Sequence, residues 1–290
     1  MFYGFGSRCG YFDFNELEKN RKLIEGFIET NVLSDFVFLN TCNRAELYSS
    51  NKPADGIWRN SRNALKHLFR VSCGIDSLVV GESEILSQIE NSHSRALQEK
   101  HCFNNLSAYF NAAILLGKKA RTDTLIAEGN SSISEIAIDF VEKELDGSAA
   151  IIGSGMLAGK IAKILSRKGI EITILSTKCP ERAEKLALEF DCVCRPFSDL
   201  KNVSSNVVFC TANCPVPIVS VEKILLNKKH LFVDLGVPPN VCSGIGLLKN
   251  SKVINLNDFK KIFEKNHKMK ENEIRKVEAL IESELEKFEF

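Results

Sequence analysis

Thr41-Cys42-Asn43-Arg44 sets a thiol two residues from a guanidinium, between two β-patterned runs at residues 35–40 and 46–50. A fixed cation favours thiolate over thiol, and the thiolate is the nucleophile, so the spacing suits covalent catalysis through sulfur. Taken alone, Cys-x-Arg fits a buried structural thiol beside a surface charge better than a nucleophile, because short motifs recur by chance. A second chemistry-bearing stretch is Gly153-Ser154-Gly155-Met156-Leu157-Ala158-Gly159, which follows an apolar run and opens a helical pattern. There the first glycine permits a tight turn and the second lets the backbone approach a pyrophosphate. The helix N-terminus offers free N–H groups to that anion. A chain that binds NAD places a carboxylate for the ribose 2′-hydroxyl at the end of the next strand. This sequence reads Ser176-Thr177-Lys178 instead. A cation beside hydroxyls suits a 2′-phosphate, so NADPH is the expected cofactor, held there by Ser176, Thr177 and Lys178.

The elements that must position these groups follow from hydrophobic period. Residues 2–6, 36–39 and 47–48 pattern as strands and residues 15–30 as an amphipathic helix, so the chain opens as a small α+β domain. Residues 51–56 (NKPADG) are turn chemistry. Helical periods follow over 58–71, 84–99, 106–121 and 135–144, the last N-capped by Ser131 or Ser132. From residue 149 short apolar strands at 149–152, 171–176, 207–210, 231–235 and 253–256 alternate with helices, which implies a parallel, doubly wound sheet. Residues 260–290 lack glycine and proline. There Ile274, Val277, Ile281, Leu285 and Phe288 form one narrow stripe, so this is a long helix packed along one face. It lies on the protein's own domains or pairs two copies as a coiled coil.

Composition bounds the function classes. A chain of 290 residues favours two domains, and 44% hydrophobic with 26% charged residues is the composition of a globular protein. The net charge of +1 advertises no global basic field, so any RNA contact needs a local patch. Two such patches are Lys118, Lys119 and Arg121, and Lys260, Lys261, Lys265, Lys268 and Lys270. Each also reads as a solvated helix face. No apolar run is long enough to span a membrane and the N-terminus is not a signal peptide, so a cytoplasmic location is expected. The ten cysteines form no repeated Cys-x2-Cys pair, which points to free thiols in a reducing compartment and no metal site.

Several stretches converge on one family. Thr41-Cys42-Asn43-Arg44-Ala45-Glu46-Leu47-Tyr48 resembles the active-site signature of glutamyl-tRNA reductase. His67-Leu68-Phe69-Arg70-Val71, with Gly74-Ile75-Asp76-Ser77 and Gly81-Glu82, resembles that family's second block, and residues 117–124 with 131–134 its third. The glycine loop, Lys178 ahead of Glu181-Arg182-Ala183, residues 211–218 and Asp234-Leu235-Gly236-Val237-Pro238 follow in family order. The resemblance covers residues 35–290. It implies an N-terminal α+β catalytic domain with a ferredoxin-like core plus helices (1–127), a Rossmann-type NADP-binding domain (128–258) and a long C-terminal spine-type helix (259–290).

The implied chemistry is attack by Cys42 on the ester joining glutamate to the 3′ end of tRNA(Glu), giving a thioester that NADPH reduces to glutamate-1-semialdehyde, the first step of five-carbon tetrapyrrole synthesis. By the same resemblance His67 transfers a proton to the leaving ribose oxygen, and Thr41, Asn43, Arg44, Ser77, Glu82, Glu84 and Gln88 bind substrate. Gly153, Ser154, Gly155, Met156, Leu157, Ala158 and Thr211 join Ser176, Thr177 and Lys178 around the cofactor. The resemblance also implies that the semialdehyde is handed on to glutamate-1-semialdehyde aminomutase.

The chain departs from the family pattern in places. Gly6-Ser7-Arg8-Cys9 replaces a histidine, proline and Arg-Glu pair. The connection from Cys42 to His67 is short. Glu84, Ser87 and Pro239 stand for a glutamine, a glycine and an arginine. The usual dimerisation domain does not follow the spine, so a dimer by that route is not expected. Two rival readings are a degenerate homologue that binds tRNA or tetrapyrrole and regulates, and a dehydrogenase of the shikimate or precorrin type sharing the second domain alone.

Overall fold

In the computed structural model, residues 2–8, 14–30, 33–41, 44–51, 59–129, 132–224 and 229–289 are described. Cys9, Cys42, Asn43, Trp58, Ser131 and the turn at 52–56 lie outside them. The alternating runs near the start become β1 (Tyr3–Arg8), β2 (Phe36–Asn40) and β3 (Arg44–Ser49), with α1 (Phe14–Glu29) between the first two. Strand β3 lies between β1 and β2 and runs antiparallel to both, pairing Arg8 with Arg44 and Asn40 with Ala45. An isolated bridge from Gly4 to Arg59 extends the free edge of β1, where the fourth strand of a ferredoxin-like sheet lies. Helices α2 (Ser61–Ser72), α3 (Glu84–Gln98) and α4 (Asn104–Asp123) complete this part. Asn60 caps α2 by accepting from Asn63 N–H.

The second part opens with α5 (Ile133–Phe140), whose N-cap is Ser132 with Glu135 returning the capping-box bond. The sequence carried this helix to 144; it ends at Phe140, and residues 142–144 form a 3-10 turn. Strands β4 (Ser148–Ile152), β5 (Glu171–Ser176), β6 (Val193–Pro196), β7 (Val207–Cys210), β8 (His230–Asp234) and β9 (Ser251–Asn255) form one parallel sheet in the order β6-β5-β4-β7-β8-β9. Helices α6 (Met156–Arg167) and α7 (Pro180–Glu189) connect the first three strands. This is the doubly wound order, in which the winding reverses at β4.

The C-terminal stretch forms α8 (Lys260–Met269) and α9 (Glu271–Leu285), joined at Lys270, rather than one uninterrupted helix. The chain divides into two compact units, Met1–Asn130 with Lys261–Phe290, and Ser131–Lys260. The C-terminal segment thus belongs to the first unit. The cause is the apolar stripe. Val277, Ile281 and Leu285 are fully buried in that unit's core, with Ile274 and Phe288 packed against it. Burying each such side chain contributes about 1.5–3 kcal/mol. At the junction the Lys270 ammonium donates to the carbonyls of Leu125, Ile126 and Glu128.

Candidate active site

All six residues of β3 are buried, although Arg44, Glu46 and Ser49 are polar. Side chains along a strand alternate between faces, so Arg44, Glu46 and Tyr48 share one face. They satisfy one another there. Arg44 donates to Glu46 Oε1 at 2.9 Å and Tyr48 Oη donates to Glu46 Oε2 at 2.8 Å. The other end of the Arg44 guanidinium donates to the Asp76 carbonyl at 2.8 Å. Its Nε is buried and has no hydrogen-bond partner among the described residues. Burial by itself would raise the Glu46 carboxyl. The charges of Arg44 and His67 and the hydrogen bonds from His67 and Tyr48 outweigh it, holding Glu46 well below the usual carboxylate range. Burial and the Glu46 charge raise the Tyr48 phenol, so it stays a donor.

His67 arrives at this face from α2. Its Nε2 lies 2.9 Å from Glu46 Oε1 and its Nδ1 3.6 Å from Asp76 Oδ2. An ionised carboxylate only accepts, so Nε2 carries a proton. The ring is therefore held between two carboxylates, and with 16% of its side chain exposed it remains reachable. Such a ring can hold a proton and release it to an oxygen that approaches. Asp76 is itself fixed by Arg70, one helical turn after His67, through bonds of 2.9 and 3.3 Å. Arg70 pairs in turn with Glu278 of α9. Next to Asp76, Ser77 is buried with its hydroxyl unpartnered among the described residues.

On the other side of Cys42 and Asn43 the chain is also pinned. Thr41 N–H donates to the Arg44 carbonyl at 2.9 Å, and Arg44 N–H to Thr41 Oγ1 at 3.1 Å. The connection from β2 to β3 is therefore strand-to-strand. Of the remaining expected substrate residues, Glu84 opens α3 and Gln88 follows one turn later, both half-buried. The Glu82 carbonyl accepts from Arg121 at 2.6 Å.

That bond corrects one reading of the sequence. Arg121 is not part of a surface patch with Lys118 and Lys119. It donates to the carbonyls of Ser72, Gly117 and Glu82, tying α4 to the turn that carries Asp76 and Ser77. Gly74 makes room for it, at φ +76° and with a virtual Cβ only 3.1 Å from the Arg121 guanidinium. Lys118 pairs with Glu90. Lys270 leaves the second patch for the same reason as Arg121, since backbone carbonyls take its donors.

In the second unit the carboxyl ends of β4 and β7 lie side by side, with Thr211 N–H and Oγ1 each 2.9 Å from the Ile152 carbonyl. This is the point where the strand order reverses, and crevices for ligands form there. Gly153 turns the chain at φ +109°, and a Cβ on it would sit 3.0 Å from Thr211 Oγ1 and 3.1 Å from the Ala212 backbone. Gly155 is the N-cap of α6, with nothing within 4 Å of the place a Cβ would take. Ser154 is half-buried, Met156 exposed and Ala158 buried, with Leu157 between them in exposure. At the end of β5, Ser176 is buried with a hydroxyl unpartnered among the described residues, Thr177 is half-buried and Lys178 exposed. An orphaned hydroxyl, an exposed cation and an open helix N-terminus fit a phosphate-bearing dinucleotide.

Sequence reasoning missed what stiffens this crevice. Asp234 accepts from the N–H groups of Gly236, Asn240 and Val241, and the Asn240 amide bonds both the N–H and the carbonyl of Ala212 at 2.9 Å. In the first unit it missed Glu46, Asp76 and Glu278. The alternation Arg44-x-Glu46-x-Tyr48 was a usable signal for the first of these; spacing gives none for the other two. The eight described cysteines, Cys73, Cys102, Cys179, Cys192, Cys194, Cys210, Cys214 and Cys242, are free thiols. Among the described residues no helix is long and apolar enough to cross a membrane.

Residues 11–124 match the family described as glutamyl-tRNAGlu reductase, N-terminal domain, and residues 135–262 that described as shikimate / quinate 5-dehydrogenase. A glutamyl-tRNA reductase of Methanopyrus kandleri is 33% identical over 298 residues, spanning 93% of this chain and 74% of its own length. That of Methanocaldococcus jannaschii is 32% identical over 293 residues, spanning 95% and 74%. Among solved structures, glutamyl-tRNA reductase from Methanopyrus kandleri is similar with a TM-score of 0.53 and 30% identity, covering 99% of this chain and 79% of that one.

Proposed function

This chain belongs to the glutamyl-tRNA reductase family, and we propose that it reduces the glutamyl group of glutamyl-tRNA to glutamate-1-semialdehyde with NADPH. The observation that carries the reading is His67 held between Glu46 and Asp76, with Arg44 bonded to both of those residues. Cys42 stands two residues before Arg44 in the chain. Its thiolate attacks the ester carbonyl carbon, the bond to the ribose 3′-oxygen breaks, and His67 gives that oxygen a proton. A thioester is poorly stabilised by resonance, which is the reason to use sulfur rather than a serine oxygen. Thr41, Asn43 and Ser77 orient the glutamyl group, with Glu82, Glu84 and Gln88 beside them, while Arg44, buried against Glu46 and the Asp76 carbonyl, braces the site rather than reaching the substrate. Gly153 to Ala158, Ser176, Thr177, Lys178 and Thr211 hold NADPH, which when bound supplies the hydride.

The tRNA phosphates lie along α8 in this proposal. Lys261, Lys265 and Lys268 fall on one face at spacings of four and three, are exposed, and make no ion pair among the described residues. Reversing these charges should flatten the salt dependence of tRNA affinity, by a slope of about 0.7–0.9 for each phosphate no longer neutralised. An unchanged slope removes α8 from the interface. The labile product favours direct transfer to glutamate-1-semialdehyde aminomutase, which co-sedimentation of the two proteins tests.

The function itself is tested by mixing the protein with glutamyl-tRNA and NADPH. Expected are a glutamyl adduct on Cys42 by mass spectrometry and semialdehyde in solution, both lost in Cys42→Ser. Neither adduct nor semialdehyde from the unaltered protein rejects the reading.

A further inference from the structure

Helix α9 reaches α2 through two glutamates one turn apart. Glu282 pairs with Arg62 at 3.1 Å and with Lys66. Glu278 pairs with Arg70. The pairs look alike as docking contacts, but their far sides differ. Arg70 also holds Asp76 in a two-bond fork, and Asp76 is the carboxylate that faces His67 Nδ1.

The charged groups around the ring come from β3 (Arg44 and Glu46), from α2 itself (Arg70), from the turn after it (Asp76) and, through Arg70, from α9 (Glu278). Two cations and three carboxylates leave this fixed set at −1. Without Glu278 the fixed set is neutral. The Arg70 charge then falls on Asp76 alone and draws that carboxylate away from the ring.

We propose that Glu278 is a positioning residue for His67, acting through Arg70 and Asp76, so that the C-terminal helix sets how the ring is held for proton transfer. The proposal rests on the reading of His67 as a proton donor. It assigns α9 a part in the chemistry beyond its part in the core.

The test compares Glu278→Gln with Glu282→Gln in the full chain. The His67 ring nitrogens are followed by NMR at neutral pH, assigned with His67→Asn, beside kcat and KM for glutamyl-tRNA and the melting temperature. In Glu278→Gln the His67 ring signals should move from their positions in the unaltered protein. Its kcat should fall about tenfold, a fraction of the 10²–10⁴ a general acid supplies, with KM within about twofold. Glu278→Asp, which keeps the charge, should restore part of both. Glu282→Gln should lower the melting temperature and leave ring and kcat unchanged. Unchanged ring signals in Glu278→Gln, or equal shifts in Glu282→Gln, overturn the proposal. A ring response confined to Glu278→Gln in a protein that makes no semialdehyde upholds the coupling while rejecting the proposed function.

Discussion

Arg44 and Gly153 belong to sites built in opposite ways. Around Arg44 the working groups are side chains drawn from β3, α2, the turn after α2 and α9, and charge holds them in register. Around Gly153 the working surface is backbone from the ends of β4 and β7, shaped by a positive φ and laced by Asp234 and Asn240. A site of paired charges is exposed to any change that strands one partner, and to pH. A site of backbone is exposed to single backbone angles and hardly to charge. Perturbations should therefore separate the two units.

The largest separation is expected from Glu46→Ala. Arg44 is 1% exposed, and removing its carboxylate leaves a buried guanidinium uncompensated. Breaking a buried pair from one side costs about 3–5 kcal/mol. Urea unfolding monitored by hydrogen exchange should show that loss across the first unit and none across residues 131–260. Equal weakening of both units breaks the distinction.

Acid should do the same more gradually. The folded state holds Glu46 below its unfolded value, so its contribution is present above the ordinary carboxylate range and is lost as pH falls through the lower folded value. Asp234 has the opposite sign. Burial raises it, against three backbone N–H bonds that favour its ionised form. Its contribution is present below the unfolded value and is lost as pH rises through the folded one, so acid does not weaken it. Exchange protection should fail first in the first unit as pH drops below the carboxylate range; failure of residues 131–260 first contradicts the assignment of these two carboxylates.

The same contrast explains how much was legible beforehand. A backbone site is local, so Gly153, Gly155 and the Ser176-Thr177-Lys178 turn could be read from one short window, as could the alternation that makes the parallel sheet. The apolar stripe of α9 was visible, though not what it covers: a periodic face specifies burial and leaves the partner open. Charge is harder still to read. Arg121 and Lys270 look like surface cations in sequence, yet both end on backbone carbonyls. Asp76 and Glu278 lie 9 and 211 residues beyond His67, and only folding brings them to it.

Gly153→Ala probes the other side of the comparison. A side chain at φ +109° is strained, and its Cβ would press on the Thr211 hydroxyl and the Ala212 backbone. Strain of this kind costs about 1–3 kcal/mol. If the turn adapts by moving, calorimetry should show NADPH binding weakened about five- to 150-fold, with the His67 ring signals unchanged. Full NADPH affinity in this variant means that the turn does not contact the cofactor.

The smallest effect should come from an exposed charge at the rim of the backbone-built site. Lys178 is exposed at the end of β5, where water and salt screen it. An exposed pair contributes about 0.2–1 kcal/mol, so Lys178→Ala should weaken NADPH binding only about two- to fivefold. The loss should vanish at high salt, because the partner is a screened phosphate. NADH lacks that phosphate, and its affinity should not move. The diagnostic quantity is thus the ratio of the two affinities at low salt. A fall in both cofactors together would place Lys178 in the stability of the turn and leave the choice of NADPH to Ser176 and Thr177.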